Sequence, residues 1–267
     1  MKVAVLGAGN MGLAFASAFV HKNLIPASEI LLIEPRKEAH ETLSDQGFVH
    51  VIEKANAQIT ACELLILAVK PQDFQALAAQ VQPFVSSRQI VLSIMAGVKL
   101  EKISALLPTK KLVRCMPNTP AKLGLGVTGY TSENLSLTEK EWVQSLLEST
   151  GSAIAFSDEK LIDAVTAMSG SGPAYFYYFL KAMVEAGEKL GIETALSREL
   201  ACETMLGAYH LVKNSEASFD ELIKMVKSKG GTTEAALNTF EQGKVGFTIT
   251  QGVLNAEKRA KELSNLV

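Results

Sequence analysis

Long apolar runs are missing from this sequence. No stretch approaches the ~18 consecutive apolar residues of a membrane-spanning helix. The N-terminal MKVAVLGAGNMGLAFASAF begins like a secretory leader, but three glycines interrupt it where a leader needs an unbroken apolar segment. An excess of charge is missing too. The chain has 26 Lys and Arg against 28 Asp and Glu, for a formal net charge of -2, and its basic residues are scattered, so no field for nucleic acid is expected. There are only three cysteines, Cys62, Cys115 and Cys202, far apart and without a C-x-x-C spacing. That excludes a disulfide framework and argues for reduced thiols in the cytoplasm. The four histidines, His21, His40, His50 and His210, lack metal-ligand spacing, and H-E-x-x-H is absent, so no metal is expected. No repeat, low-complexity linker or charge block divides the chain.

What is present is a change of rhythm. At 267 residues and 48% hydrophobic composition the chain can bury a substantial core. Up to about Phe156, the brief apolar runs KVAVLG, EILLIE, ELLILAV, RQIVLSI and KKLVRCM alternate with stretches of helical periodicity. Such runs suit strands buried on both faces, and the alternation predicts a parallel, doubly wound sheet of Rossmann type. Beyond that point the strand signal fades and long helical segments follow. The expected fold is therefore α/β, an N-terminal doubly wound domain over 1–157 followed by an all-α domain over 158–267. AYFYYFLKAMV in the second half is apolar on more than one face and must be covered on more than one side, for which a second copy of the chain is a suitable partner.

GAGNMG, directly after the first apolar run and opening a helix, carries Gly7, Gly9 and Gly12 in the G-x-G-x-x-G pattern. The first glycine permits a tight turn, the second lets the backbone approach a pyrophosphate, and the third lets helix pack on strand. Free amides at the helix start then face the diphosphate. The second run ends at Glu34, 22 residues past Gly12, where a carboxylate meets the adenosine ribose. Arg36 and Lys37 beside it could instead attract a 2′-phosphate, and the residues leave both possibilities open. Glu34 is read here as an exposed carboxylate opposing two mobile cations. Discrimination between cofactors should then be modest, and Glu34→Ser should favour NADPH. LAVKPQ turns at Lys70 and Pro71 at the end of another strand, where it should border the cofactor.

In VKSKGGTTEAAL, two glycines lead into a helix whose first turn carries Thr232, Thr233 and Glu234. Ordinary capping explains one threonine. It does not explain the paired glycines, and the free amides suit a small carboxylate. Together GAGNMG, LAVKPQ, RCMPNTPAKLGLGVTGY, DAVTAMSGSGPAYFYYF and VKSKGGTTEAAL resemble the pyrroline-5-carboxylate reductase family, from residue 3 to about residue 255. One departure is Lys229, where the family often has proline before the paired glycines.

The resemblance implies reduction of 1-pyrroline-5-carboxylate to L-proline, with NADPH slightly favoured and NADH also accepted. It implies that Leu6, Gly7, Ala8, Gly9, Asn10, Met11, Ala68, Val69, Lys70 and Pro71 hold the cofactor, with Asn56 near its adenosine end. Ser228, Gly231 and Thr232 would hold the substrate carboxylate, Thr233 would face the ring nitrogen as the catalytic hydroxyl, and Glu159 would approach that nitrogen. It also implies a homodimer through the helical domain, with dimers able to associate into a ring. Ser169 and Ser171 could border the nicotinamide, but Gly170, Gly172 and Pro173 read mainly as a close-packed helix entry, and the structural role is favoured. A β-hydroxyacid dehydrogenase is a rival reading, but the comparable helix has no lysine before Lys181. A non-catalytic dinucleotide sensor or scaffold is another, against which both the S-G-S-G and G-G-T-T residues stand intact.

Overall fold

The structure, a computed structural model, describes residues 2–266. Its strands are β1 (Val3–Leu6), β2 (Ile30–Ile33), β3 (His50–Ile52), β4 (Leu64–Leu67), β5 (Ile90–Ser93), β6 (Leu112–Met116), β7 (Gly126–Glu133) and β8 (Gly151–Ala155). They form one sheet in the order β3-β2-β1-β4-β5-β6-β7-β8. β1 to β6 run parallel, whereas β7 is antiparallel to β6 and carries β8 parallel to itself.

The apolar runs read as strands because both sheet faces are covered. Successive residues of the central strands alternate between two cores. Val3, Val5, Ile30, Leu32, Leu64 and Ile66 pack with Phe15 and Phe19 of α1 (Asn10–His21) and with Val143, Leu146 and Leu147 of α5 (Leu137–Glu148). Ala4, Leu6, Leu31, Ile33, Leu65 and Leu67 face the other way, onto Phe74, Ala78 and Val81 of α3 (Phe74–Val81) and Leu100 and Ile103 of α4 (Leu100–Leu106). α2 (Glu38–Asp45) follows β2. The strand order reverses between β1 and β4, and in open α/β sheets ligands bind outside the carboxyl ends of the strands at such a point.

The chain forms two compact units. The first runs through Gly172 and takes up the chain again from Ala256, and the second is Pro173–Asn255. The first therefore includes α6 (Leu161–Val165) and the end of α11 (Val245–Leu266), which the change of rhythm near Phe156 does not mark. The second contains nearly all of α7 (Gly172–Lys189), then α8 (Thr194–Lys213), α9 (Phe219–Val226) and α10 (Thr232–Gln242). No helix of the described residues is long and apolar enough to cross a membrane.

Candidate functional site

At the switch point the three glycines of GAGNMG have three different surroundings. Gly7 has φ of +102°, a conformation that L side chains rarely adopt, and a Cβ there would lie 2.8 Å from the Ala68 carbonyl oxygen at the end of β4. Its N–H donates to the Ile33 carbonyl at 2.9 Å, so the turn is locked between the ends of β2 and β4. A Cβ at Gly12 would overlap the Gly7 carbonyl oxygen and lie 3.0 Å from both Val5 and Ala68 side chains, which is close packing of α1 on the sheet. Gly9 is different. It is the N-cap of α1 with φ of -70° and no side-chain capping bond, and a Cβ on it would meet nothing within 4 Å. Neither backbone strain nor internal packing demands glycine there. The open space over the unfilled amides of the helix start is what a diphosphate occupies, so the residues present fit a dinucleotide.

Around this cradle, Leu6 and Ala8 are buried, Met11 is half-buried and Asn10 is exposed. Ala68 and Val69 are half-buried, and Lys70 is exposed in the extended conformation that Pro71 imposes on its predecessor. Asn56 is half-buried and its Oδ1 accepts the Gln58 N–H at 2.9 Å, capping a short 3-10 turn.

Glu34 departs from the expectation of an exposed carboxylate. Its side chain is 4% exposed. Oε1 accepts the Arg36 backbone N–H at 3.0 Å and Arg36 Nε at 2.8 Å, and Oε2 accepts Arg36 Nη2 at 3.1 Å. These bonds, the side-chain pair foremost, hold the Glu34 carboxyl below its ordinary range although burial pushes the other way. The pair is thus ionised at neutral pH, and its contribution would fade only as pH falls through that depressed value. The physical reason for the departure is local: the Pro35 turn brings Arg36 back onto its neighbour two residues away.

Glu159 also has another occupation than the resemblance implies. Its Oε1 accepts the Leu100 N–H at the start of α4 at 2.8 Å and Arg114 Nη1 at 3.1 Å. Arg114, on β6, is 1% exposed and its Nη2 reaches Asp163 Oδ1 at 2.5 Å. Asp163 in turn accepts the Ser264 hydroxyl at 3.2 Å. The run KKLVRCM identifies a buried strand, but nothing in it says which carboxylates its arginine meets. Gly170 ends a π-helical turn, Thr166–Gly170, and lies against Met116 as a close-packed entry requires, whereas a Cβ on Gly172 would meet nothing.

In the second unit, the turn between α9 and α10 is held from inside. Gly230 has φ of +74° and donates its N–H to Glu234 Oε2 at 2.7 Å. The Gly231 N–H is taken by the Ser228 carbonyl at 3.1 Å, and a Cβ on Gly231 would overlap the Ser228 hydroxyl. Gly231 thus clears space rather than offering a donor. The amides of Thr232, Thr233 and Glu234 remain as the orphan donors of the helix start. Neither threonine hydroxyl hydrogen-bonds within the described residues, and Thr233 is half-buried while Thr232 is exposed. Lys227 Nζ lies 3.5 Å from Glu234 Oε1. Among the described residues no cluster of three or more His, Cys, Asp or Glu is placed to hold a metal ion.

Residues 159–263 match a family described as pyrroline-5-carboxylate reductase dimerisation, and residues 2–97 match one described as NADP oxidoreductase coenzyme F420-dependent. The chain is 35% identical to the pyrroline-5-carboxylate reductase of Pseudomonas aeruginosa over 265 residues, 98% of this chain and 97% of that one. It is 35% identical to that of Haemophilus influenzae over 267 residues, 99% and 98% of the two. Among solved structures, pyrroline carboxylate reductase of Plasmodium falciparum with NADP bound superposes with a TM-score of 0.89 at 28% identity, covering 99% of this chain and 98% of that one. A pyrroline-5-carboxylate reductase from Coxiella burnetii gives 0.90 at 28% identity, covering 98% of each.

Proposed function

The chain belongs to the pyrroline-5-carboxylate reductase family, and from that premise we propose which of its residues carry the reduction of 1-pyrroline-5-carboxylate to L-proline. It is an NAD(P)H-dependent oxidoreductase of proline biosynthesis. Reducing a cyclic imine takes a hydride at carbon and a proton at nitrogen. NADPH, when bound, supplies the hydride.

Leu6 to Met11 hold the diphosphate over the space at Gly9, with Ala68 to Pro71 along the same crevice and Asn56 towards the adenosine end. The orphan amides of Thr232 and Thr233 receive the substrate carboxylate, beside the Ser228 hydroxyl that the missing Gly231 side chain makes room for. The Thr233 hydroxyl, half-buried and without a partner in the described chain, is the single observation that carries the assignment. It orients the protonated imine and relays a proton from water, since a threonine hydroxyl is too weak an acid to act as a conventional one. One hydrogen bond to a charged group is worth about 1.5–3 kcal/mol, so Thr233→Ala is expected to lower kcat about tenfold to a hundredfold. Cofactor affinity should be nearly unchanged, and Thr232→Ala should be mild because its amide remains. Steady-state kinetics checks this, and a Thr233→Ala enzyme as active as wild type would remove the hydroxyl from the mechanism.

Glu159, engaged by Arg114 and Leu100, supports the fold in this reading. Glu159→Gln should leave KM for pyrroline-5-carboxylate within about twofold while lowering the unfolding midpoint, because a charge-assisted bond is weakened. A large rise in KM with an unchanged midpoint would return Glu159 to the substrate.

The chain forms homo-oligomers, and a dimer through the helical unit, able to assemble into a ring, is the arrangement we propose. Phe176, Tyr177, Tyr178 and Phe179 are each more than half exposed in a single chain, an apolar surface that a partner would cover. Light scattering on dilution is expected to show no stable, active monomer. Nucleic acid is not expected as a partner of a chain with scattered charge. The unpaired thiols support a cytoplasmic location.

A further inference from the structure

Glu34 is closed to a ribose, and the cation beside it is open. A carboxylate offers about four lone-pair directions, and three of Glu34's are taken by Arg36. Its main chain is pinned as well, with the N–H donating to the Ile52 carbonyl at 2.9 Å and the carbonyl 2.6 Å from His40 Nε2. The Arg36 side chain, by contrast, is 60% exposed. A guanidinium has five N–H donors in a rigid fork. Nε and one hydrogen of Nη2 face Glu34, which leaves the outer edge of the fork for an anion. Lys37 reaches Glu53 at 3.3 Å but is 78% exposed, so no buried group braces it.

We propose that Arg36, aimed by Glu34, is what distinguishes NADPH from NADH in this chain, the outer edge of its guanidinium receiving the phosphate on the adenosine ribose. Glu34 is the positioning residue, and the sign of its effect is opposite to that expected for a carboxylate pointing at the ribose. A buried carboxylate with three bonds to Arg36 is not free to accept both ribose hydroxyls, so it cannot reward NADH. A guanidinium held by two bonds and a backbone turn has already lost the rotamer freedom that a mobile surface arginine gives up on binding. Planar fork geometry then suits a phosphate better than a point charge would.

The proposal rests on the dinucleotide site, and nucleotide fragments separate the two. Calorimetric titration of the full-length protein with 2′,5′-ADP and with 5′-ADP needs no turnover. Wild type should bind 2′,5′-ADP several-fold or more tightly than 5′-ADP. Arg36→Ala should weaken 2′,5′-ADP about tenfold, on the scale of a charge-assisted fork, and leave 5′-ADP within about twofold. Arg36→Lys keeps the charge without the fork and should fall between, a variant that tests the idea even if the alanine form folds poorly. Glu34→Gln should weaken 2′,5′-ADP about threefold or more and spare 5′-ADP, because the brace loses its charge. Tighter 2′,5′-ADP binding by Glu34→Gln would show the carboxylate opposing the phosphate and overturn the proposal. So would equal losses for both fragments in Arg36→Ala, or equal wild-type affinities. A wild-type protein that binds neither fragment would overturn the dinucleotide site itself, and this proposal with it.

Discussion

Asp163→Ala is expected to cost about 3–5 kcal/mol of stability, the range for removing one partner of a buried ion pair. Arg114 lies on a central strand with 1% of its side chain exposed, and its Nε already has no hydrogen-bond partner. Without Asp163, Nη2 would join Nε as an unmet donor on a buried cation. The Ser264 hydroxyl, whose one hydrogen is shared between the Ala260 carbonyl and this carboxylate, would lose its tie to Asp163 and keep the bond within α11. Against a total of about 5–15 kcal/mol for an ordinary domain this is a large share. Urea denaturation measures it. A further expectation distinguishes desolvation from mere contact loss: Arg114→Met combined with Asp163→Leu should recover much of the deficit, because the charge that needs a partner is gone. A double variant less stable than Asp163→Ala would contradict that account.

Gly9→Val is expected to leave the fold standing and to abolish tight dinucleotide binding. No atom lies within 4 Å of a Cβ built at Gly9, and its φ of -70° is open to any residue. The thermal midpoint should therefore move little. The added methyls would stand where the diphosphate meets the helix amides, and losing two bonds of about 1.5 kcal/mol each weakens binding about a hundredfold. Gly12→Val should do the reverse in part. Its Cβ would overlap the Gly7 carbonyl oxygen, so overpacking between α1 and β1 should lower stability by about 1–3 kcal/mol or more. Calorimetric titration with NADPH beside a melting curve separates the two. A Gly9→Val protein that binds NADPH like wild type would mean the diphosphate lies elsewhere.

These two variants also mark what could be read from the residues alone. GAGNMG was legible because its chemistry is backbone chemistry, fixed by glycine spacing and by the strand before it. The five apolar runs became β1, β2, β4, β5 and β6 because covered faces leave no polar alternation to misread. β7 was not legible: GVTGYTSE mixes glycines with polar residues and has no continuous apolar run, yet it pairs along the whole of β6. β3 and β8 are short and partly open, with too few buried positions to show a period. Side-chain partners were the least legible layer. Spacing placed Glu34 at the end of β2 but could not tell that Pro35 would turn Arg36 onto it. Arg114 sits among apolar neighbours in a run whose five residues are all buried, and only that flanking pattern hinted that its charge needed partners. The role of Gly231 shifted in the same way, since its N–H is taken by Ser228 and its missing side chain is what matters.

The most direct measurement is the loss of reduced-nicotinamide absorbance when purified protein and NADPH are mixed with 1-pyrroline-5-carboxylate, with the product analysed for proline. The expected result is oxidation that begins only on addition of the imine, yields proline in equal amount, and proceeds also with NADH. Folded protein that oxidises neither cofactor in the presence of the imine would contradict the assignment.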